Sequence, residues 1–446
     1  MDNRGITDQN VIPTYSPQFQ SVSKGLTNSR PKLLFLAYPF PPQNAAGCVR
    51  TWNIAKYLAR MGWDVTVVTP DPSILKLQNP DGMTTKLRQE GIRRILTNHQ
   101  WRFLIRGRLN YWDLGLRWFV GAILRRVARY CSIEREIGWI NAAEMACSNL
   151  TAKDVDVILA TGSPFSAFRL ANNLSRRLDR PYVLDYRDPW TGNPHVVSPN
   201  RPSTIREEER LLKASAAVTI VSPSWALLLN HRFNLGSKLH VVTNGFDPEE
   251  LTDVVPYDFG HFAIVYSGQF YLPKRIISPV MAALRRLKET VVGKEWYFHH
   301  YGGQENHILE EANHFDVIER VIIHGRVPRA EVLSAVRGAG VAVVITSVKE
   351  EATIEDKGIM TGKVFEPLGL GTPILMIAPT GSDVETISET TGLVQCFEGS
   401  NVDGIASFLS DLMFKRKTLK AKELGGYSWP NIVKKLDSVL RAVARV

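Results

Sequence analysis

Short apolar segments alternate with helical segments twice along this chain, and this alternation constrains the fold more than any other feature. Each apolar segment has the length of a buried strand and is followed by turn residues or by helical periodicity. Strands separated by helices predict a parallel sheet. The predicted strands are 32–37, 64–69, 155–160, 182–185, 217–221 and 239–242, then 262–267, 296–301, 321–324, 341–346, 373–377 and 393–396. The sequence therefore predicts two similar α/β units.

The length of the chain and the break between the two series predict two domains. A chain of 446 residues exceeds what one hydrophobic core usually serves. Segment 244–258 is rich in turn residues and interrupts the alternation, so we place the boundary near Pro256. The predicted organisation is a flexible polar tail (1–30), an N-terminal Rossmann-like acceptor domain (31–255), a C-terminal Rossmann-like donor domain (256–428) and a final helix (429–446) that packs back toward the N-terminal domain.

The composition excludes several classes of protein. Apolar residues make up 44% of the chain and charged residues 22%, which is the balance of a globular protein. The 4 cysteines include no C-x-x-C pair, so we predict neither a disulfide framework nor a zinc site. The first residues lack the apolar core of a secretory signal, and no stretch predicts a membrane span. We expect a cytoplasmic protein without a bound metal or cofactor.

Segment 87–150 departs from the alternation, because arginine and aromatic residues crowd it. We predict a helical insertion there with apolar and basic faces, which favours a position at the inner face of an anionic membrane. An ordinary amphipathic core helix explains the same pattern. The formal charge of +10 also favours an anionic partner, without choosing among lipid, nucleic acid and phosphorylated small molecules. The residues concerned include Trp101, Arg102, Phe103, Arg106, Trp112, Arg117, Trp118, Arg125, Arg126 and Arg129.

Loops after the strands of the second series carry the residues expected of a phosphate site. Open parallel sheets bind ligands beyond the carboxyl ends of their strands. Gly268 follows the first of these strands and permits close backbone approach, while Lys274 and Arg275 can offset the charge of a pyrophosphate. Lys363 and Glu366 lie one helical turn apart, so a cation and a carboxylate can address phosphate and ribose together. A plain salt bridge between these two residues is the alternative.

Loops of the first series carry candidates for the opposite side of a cleft. The loop after the first strand leads into a helix whose N–H groups can face a phosphate, with Arg50 in its first turn. Arg187 and Asp188 follow another strand. We predict Asp188 as a catalytic carboxylate near an acceptor hydroxyl and Arg187 as a phosphate or carboxylate contact, with pinning of the loop as the alternative. Ser163, at a further strand end, borders the same pocket.

Several of these segments resemble glycosyltransferase family 4, which has the GT-B fold. The matching segments are Y-P-F-P-P-x(4)-G, D-Y-R-D-P-W, N-G-F-D, Y-S-G, G-K-V-F-E-P-L-x-x-G-x-P-I-L and Y-S-W-P. The resemblance covers about residues 32–445, and K-x-x-E-x-L-x-x-G-x-P-I-L is its most specific part. It implies two Rossmann-like parallel-sheet domains that face a central cleft. It also implies a metal-independent hexosyltransferase that uses a nucleotide-sugar and retains the anomeric configuration.

The resemblance also implies roles for single residues. Glu366 would hold the ribose of the donor, and Gly47 would line the facing loop. The other donor-binding candidates are Gly268, Lys274, Arg275, Lys363, Ser382 and Asp383. The family often has a glutamate pair, E-x(7)-E, but Gly358 replaces the first glutamate here, and Glu355 lies three residues earlier. We therefore expect an altered contact with the donor sugar.

These inferences predict a glycosyltransferase of cell-surface polysaccharide or glycolipid assembly, with a lipid-linked or glycan acceptor. A nucleotide-sugar epimerase shares the architecture, but it needs acid and base side chains whose pattern is weak here. A relative that binds a nucleotide-sugar or a polyanion without turnover is the third alternative, because of Gly358. We expect no nucleic-acid partner, since the basic residues are dispersed and no recognition module is visible.

Overall fold

The computed structural model describes residues 30–43, 46–75, 80–100, 134–194 and 201–445, together with positions 123 and 126. The basic and aromatic residues assigned to an anionic surface therefore lie outside the described residues, apart from Arg126. The predicted tail at 1–30 lies outside them as well, apart from Arg30.

A parallel sheet forms the centre of the N-terminal half. Its strands are β1 Lys32–Leu36, β2 Asp64–Pro70, β3 Arg93–Thr97, β4 Val157–Gly162, β5 Tyr182–Tyr186, β6 Ala217–Ile220 and β7 Leu239–Val241. The helices described in this half are α1 Ala46–Arg60, α2 Pro80–Gln89, α3 Trp139–Ala146, α4 Ser166–Leu178, α5 Pro202–Ala214 and α6 Pro223–Phe233. Within the described residues the sheet has seven strands in the order β3-β2-β1-β4-β5-β6-β7.

A second parallel sheet forms the centre of the C-terminal half. Its strands are β8 Phe262–Ser267, β9 Trp296–Tyr301, β10 Val321–Gly325, β11 Val341–Ile345, β12 Ile374–Ile377 and β13 Val394–Phe397, in the order β10-β9-β8-β11-β12-β13. The helices described from the linker onward are α7 Pro248–Leu251, α8 Ser278–Thr290, α9 Glu305–His314, α10 Arg329–Gly338, α11 Ile354–Lys357, α12 Phe365–Leu370, α13 Val384–Thr391, α14 Val402–Met413 and α15 Trp429–Ala444. The predicted architecture of two parallel-sheet α/β domains is confirmed.

Strand β3 is a correction to the sequence analysis, which assigned residues 87–150 to a helical insertion. Residues 93–97 instead pair in parallel with β2, in the register Thr66 with Arg93 and Pro70 with Thr97. The strand lies at the edge of the sheet, so its burial pattern is mixed, and Arg93 reaches Asp64 at 2.9 Å. An edge strand tolerates charged side chains, and this hides its apolar alternation in the sequence.

The last helix packs on the N-terminal half. Trp429, Leu436 and Leu440 of α15 are fully buried in one cluster with side chains of β1 and α1. The indole Nε1 of Trp63 also donates to Asp437 at 2.6 Å. A helix from the end of the chain thus completes the core on one side of the first sheet.

A buried ion pair ties the centre of the first sheet to α1. Arg50 donates to both carboxylate oxygens of Asp185, at 2.6 and 3.0 Å, and the hydroxyls of Thr161 and Thr219 donate to the same carboxylate at 2.8 and 2.7 Å. Burial alone would raise the pKa of Asp185, but Arg50 and the two hydroxyls outweigh burial, so the pKa lies below its ordinary value. The Asp185 carboxylate is therefore ionised and fully satisfied inside the domain.

We expect Asp185→Ala to destabilise the protein by about 3–5 kcal/mol, because it leaves the Arg50 guanidinium buried without its counter-ion. Urea unfolding followed by tryptophan fluorescence measures the loss. The matched control is Glu209→Ala, which removes the exposed pair with Lys213 and should cost less than about 0.5 kcal/mol. Equal losses in the free energy of unfolding would show that the buried ion pair stabilises the protein no more than the exposed one.

Three histidines form a continuous chain on the second sheet. His299 of β9 is 3% exposed. Its Nε2 lies 2.9 Å from Nε2 of His261, and its Nδ1 lies 2.9 Å from Nε2 of His324. Burial first, and then the neighbouring His324 and His261, lower the pKa of His299 to about 4. The ring is therefore neutral in the folded protein at neutral pH.

This shift predicts a loss of stability in acid. Because the folded pKa of His299 lies below the unfolded value of about 6.5, its contribution is complete above pH 6.5 and declines as the pH falls toward 4. Linkage puts the total at about 3 kcal/mol. His299→Gln should flatten the free energy of unfolding against pH over this range, whereas the exposed control His231→Gln should follow the wild type. An unchanged slope in His299→Gln would contradict the assignment.

Candidate functional site

Two cations without carboxylate partners, one of them buried and one partly exposed, lie beyond the carboxyl end of β8. Arg275 is 5% exposed, and its Nε has no hydrogen-bond partner among the described residues. Lys363 Nζ lies 5.2 Å from the centre of the Tyr266 ring and 3.5 Å from the carbonyl oxygen of Gln269. Within the described part of the chain, no carboxylate lies within ion-pair distance of either cation. Buried charge without a partner is costly, so this cluster suits an anionic ligand.

The electrostatics of these cations agree with the same conclusion. Burial, followed by the charge of Arg275, lowers the pKa of Lys363 to about 7. Burial also lowers the pKa of Arg275. Binding of an anion beside these two cations would stabilise their charged forms.

Gly268 brings Lys363 close to the backbone. Its φ of +134° lies in the region that favours glycine, and a Cβ at this position would collide with Nζ of Lys363. Gly302, with φ of +159°, packs in turn against the carbonyl oxygen of Gly268. The local backbone therefore leaves room for one lysine side chain, and a side chain at 268 would displace it.

Glu366 lies beside this cluster and is held by a residue that the sequence analysis missed. Arg329, at the start of α10, donates to Glu366 and also makes a bidentate pair with Glu250 at 2.8 and 3.0 Å. The Glu366 side chain remains 24% exposed. Arg329 is 37 positions from Glu366 in the chain, so no local pattern could have revealed it. The contact orients the carboxylate and couples it to the linker helix α7.

Lys274, which the sequence analysis predicted beside a pyrophosphate, has a carboxylate partner in the structure, unlike Arg275 and Lys363. Its Nζ donates to Asp356 at 2.6 Å, and that carboxylate is fully buried and caps α11 together with Thr353. Burial raises the pKa of Asp356, but Lys274 and Lys349 outweigh this and bring the pKa below its ordinary value. The Lys274 charge therefore holds the loop before α11 in place.

Asp383, a predicted donor contact, lies against the N-terminal half in this structure, and its role toward a donor stays a prediction. Its two carboxylate oxygens accept hydrogen bonds from the backbone N–H and the hydroxyl of Ser224, at 2.9 and 2.8 Å. Ser382 beside it is 4% exposed, and its hydroxyl has no partner among the described residues. The partner of Asp383 lies 159 positions away, so the sequence could not separate these two roles.

Arg50 lies in the interior, whereas the sequence analysis predicted it as a residue of the cleft. It is 2% exposed and donates to Asp185 and to the carbonyl oxygens of Val242 and Thr243 at 3.0 and 2.9 Å. Its donors face the interior because the first turn of α1 lies on the sheet. This side chain supports the site from behind and cannot reach a ligand.

Arg187 and Gly47 form the N-terminal wall of the cleft. Arg187 donates through Nε to the carbonyl oxygen of Gly162 at 3.1 Å and through Nη2 to that of Ser163. Its guanidinium covers Gly47 so closely that a Cβ there would collide with Nη1. Arg187, Ser163 and Gly47 therefore lie together at the ends of β4 and β5 and the start of α1.

Asp188 is the carboxylate on this wall. It is partly exposed, and its carboxylate accepts no hydrogen bond from the side chains that the structure describes. Burial raises its pKa to about 6, although Arg187 and Arg275 act in the opposite direction. Arg275 belongs to the other half, so Asp188 and the unpaired cations are close enough to interact across the cleft.

Two negative findings apply to the described residues alone. Among them, no three histidine, cysteine, aspartate or glutamate side chains are grouped as metal ligands. Nor does any helix in the described ranges have the length and apolar character to cross a membrane.

Known proteins share both the sequence family and the fold. Residues 49–250 match the model of Glycosyltransferase Family 4. No curated protein matches the sequence significantly. A glycosyltransferase from Rickettsia africae has a TM-score of 0.59 at 14% identity, over 93% of this chain and 98% of its own. HepE from Anabaena, solved with UDP and glucose, has a TM-score of 0.53 at 12% identity, over 93% and 97%.

A third structure is the lipopolysaccharide outer core galactosyltransferase WaaB, with a TM-score of 0.54 at 11% identity over 92% of this chain and 99% of its own. At these identities the structures show a common fold, and the two parallel sheets have the arrangement of the GT-B fold. The match of residues 49–250 to the family model confirms the resemblance of the sequence to glycosyltransferase family 4.

The unpaired cations predict pH-dependent binding of a diphosphate. Lys363 is charged below about pH 7, so Lys363→Met should weaken binding of inorganic pyrophosphate about 10-fold or more at pH 6. The ratio between variant and wild type should shrink as the pH rises above 7, because the wild-type amine then loses its proton. Isothermal titration calorimetry measures both affinities, with the exposed Lys294→Met as control. A ratio that is constant with pH would contradict the assignment.

Proposed function

We propose that this protein transfers a hexose from a nucleotide-sugar to an acceptor hydroxyl, with retention of the anomeric configuration. The observation that carries the proposal is the pair of cations without carboxylate partners, Arg275 and Lys363, of which Arg275 lies close enough to Asp188 to lower its pKa. One side of the cleft suits a diphosphate, and the other offers a carboxylate whose pKa is about 6.

The charges lie where sugar transfer needs them. The bond between the anomeric carbon and the diphosphate breaks with its electron pair on the phosphate oxygen, and positive charge develops on the sugar. Arg275 and Lys363 stabilise the departing diphosphate. Asp188 takes up the proton of the acceptor hydroxyl as the oxygen of that hydroxyl forms the new glycosidic bond. The two cations offset the phosphate charge, which supports transfer without a metal ion.

A uridine nucleotide is the donor class with the most support. HepE, which shares the fold, was solved with UDP and glucose. In this chain Glu366 is oriented by Arg329 and keeps part of its carboxylate exposed, as a contact with ribose hydroxyls requires. We therefore assign Glu366 to the ribose and the cation pair to the diphosphate.

The proposed acceptor is a glycolipid or a lipid-linked glycan. WaaB, another protein of this fold, is a lipopolysaccharide galactosyltransferase. The basic and aromatic segment 101–130 supports peripheral attachment to the inner, anionic face of a membrane. These two observations support a role in the assembly of cell-surface polysaccharide or glycolipid.

A donor screen tests the proposal. Purified protein is mixed with UDP-, GDP-, ADP- and dTDP-sugars, and thermal stabilisation is read beside nucleotide release in the presence of a glycolipid acceptor pool. We expect stabilisation by a UDP-sugar, its loss in Glu366→Ala, and acceptor-dependent release of UDP. Asp188→Asn should keep donor binding and lose transfer.

Two results would redirect the assignment. Conversion of the donor sugar without an acceptor would indicate an epimerase, and stabilisation without release would indicate a binding protein. Absence of any donor effect would overturn the proposal itself.

Membrane attachment has a separate test. We expect the protein to sediment with liposomes that contain anionic lipid and to remain in the supernatant with neutral ones, because arginine side chains bind lipid phosphates. Replacing Arg102, Arg106 and Arg117 together by glutamine should abolish sedimentation, whereas replacing three exposed lysines of the C-terminal half should not. Failure to sediment with either liposome would contradict the proposal.

A further inference from the structure

Trp225 of the N-terminal half packs directly on Gly358 of the C-terminal half. The indole is 2% exposed, and its Nε1 donates to the carbonyl oxygen of Glu355 at 2.9 Å. A Cβ at position 358 would collide with the five-membered ring of the indole. The two halves are thus in van der Waals contact at a position that accepts no side chain.

The backbone does not explain the glycine. Gly358 has φ of −77° and ψ of −3°, which any residue adopts. Only the indole forbids a side chain there. The chain therefore has glycine at this position because a residue of the other half occupies the space.

A second contact joins the same two surfaces. Asp383 accepts both hydrogen bonds of Ser224, so a carboxylate of the C-terminal half caps the first turn of α6. The backbone N–H of Asp383 donates to the carbonyl oxygen of Lys357 at 3.1 Å, which ties this carboxylate to the loop that carries Gly358. The first turn of α6 is thus held against the two loops that carry Gly358 and Asp383.

An apolar contact joins the same two surfaces. Ile359, next to Gly358, is 2% exposed and belongs to the hydrophobic cluster of the N-terminal half that contains Trp225. A side chain of the C-terminal half is therefore part of the other core. We call the set of Ser224, Trp225, Gly358, Ile359 and Asp383 the clasp.

We propose that the clasp is a positioning device that sets the two halves at the separation where Asp188 acts on a donor held by Arg275 and Lys363. This inference rests on the proposed function for its catalytic consequence. The residues of the clasp lie between α11 and α12, directly before α13 and at the start of α6. Trp225 and Asp383 would act through the separation of the halves and not on the substrate.

The clasp also accounts for the missing first glutamate of the pair that ends in Glu366. The indole fills the space that any side chain at 358 needs, so this contact between the halves and a glutamate at 358 exclude each other. The chain has a contact between its halves where a donor contact would otherwise lie. The donor sugar must then be recognised without that carboxylate.

Gly358→Ala tests the clasp with a minimal change. The Cβ should push Trp225 away and open the cleft, while the backbone and the phosphate-binding residues remain as they are. The matched control is Gly362→Ala in the same segment, where a Cβ meets nothing within 4 Å. Asp383→Asn is an independent variant that replaces the carboxylate facing Ser224 by a neutral amide, which weakens the contact and poses little risk to folding.

Three measurements separate the outcomes. For Gly358→Ala we expect a larger radius of gyration by small-angle X-ray scattering, a UDP affinity within about 3-fold of wild type and a kcat lower by about 10-fold or more, since misplaced groups lose proximity. Asp383→Asn should change in the same direction by less, and Gly362→Ala should match the wild type.

Unchanged scattering and kcat in both clasp variants would overturn the proposal, as would equal effects in Gly362→Ala. A fall in kcat without expansion would overturn it too, because the clasp acts through the separation of the halves. Expansion in a protein that transfers no sugar would support the clasp while the proposed function fails.

Discussion

The ion pair between Arg50 and Asp185 is the interaction on which the rest of the N-terminal half depends. It lies where the central strand β5 ends and where α1 begins, and hydroxyls from β4 and β6 complete it. Because a buried carboxylate is stable only when all its oxygens are satisfied, these four elements have one common arrangement. The chain leaves β5 at Asp185, and Arg187 and Asp188 therefore reach the cleft two and three residues later.

At the site of the C-terminal half, by contrast, two cations lack a carboxylate partner. Lys274 is paired with Asp356 and Arg329 with Glu366. Within the described structure neither Arg275, which is buried, nor Lys363, which is partly exposed, has a carboxylate partner. Such local violations of charge pairing mark ligand sites, because the ligand supplies the missing charge.

Much of the fold could be read from the sequence, whereas the roles of single charged residues could not. Predicted strands such as 32–37 and 262–267 match β1 and β8, because buried parallel strands are continuous apolar segments. β3 was missed, since an edge strand has arginines among its apolar residues. Lys274 was taken for a phosphate ligand because it stands next to Arg275, and only its distant partner distinguishes the two.

Local pattern alone was sufficient for the two α/β units, the loops that carry the site and the family resemblance, because strand length, helical period and glycine positions are properties of neighbouring residues. The tertiary structure decided which cations are paired and which are free, and it showed that Trp225 covers Gly358. These facts depend on groups distant in the chain, 82 positions apart for Lys274 and Asp356 and 130 for Trp225 and Glu355, whose meeting no local pattern encodes.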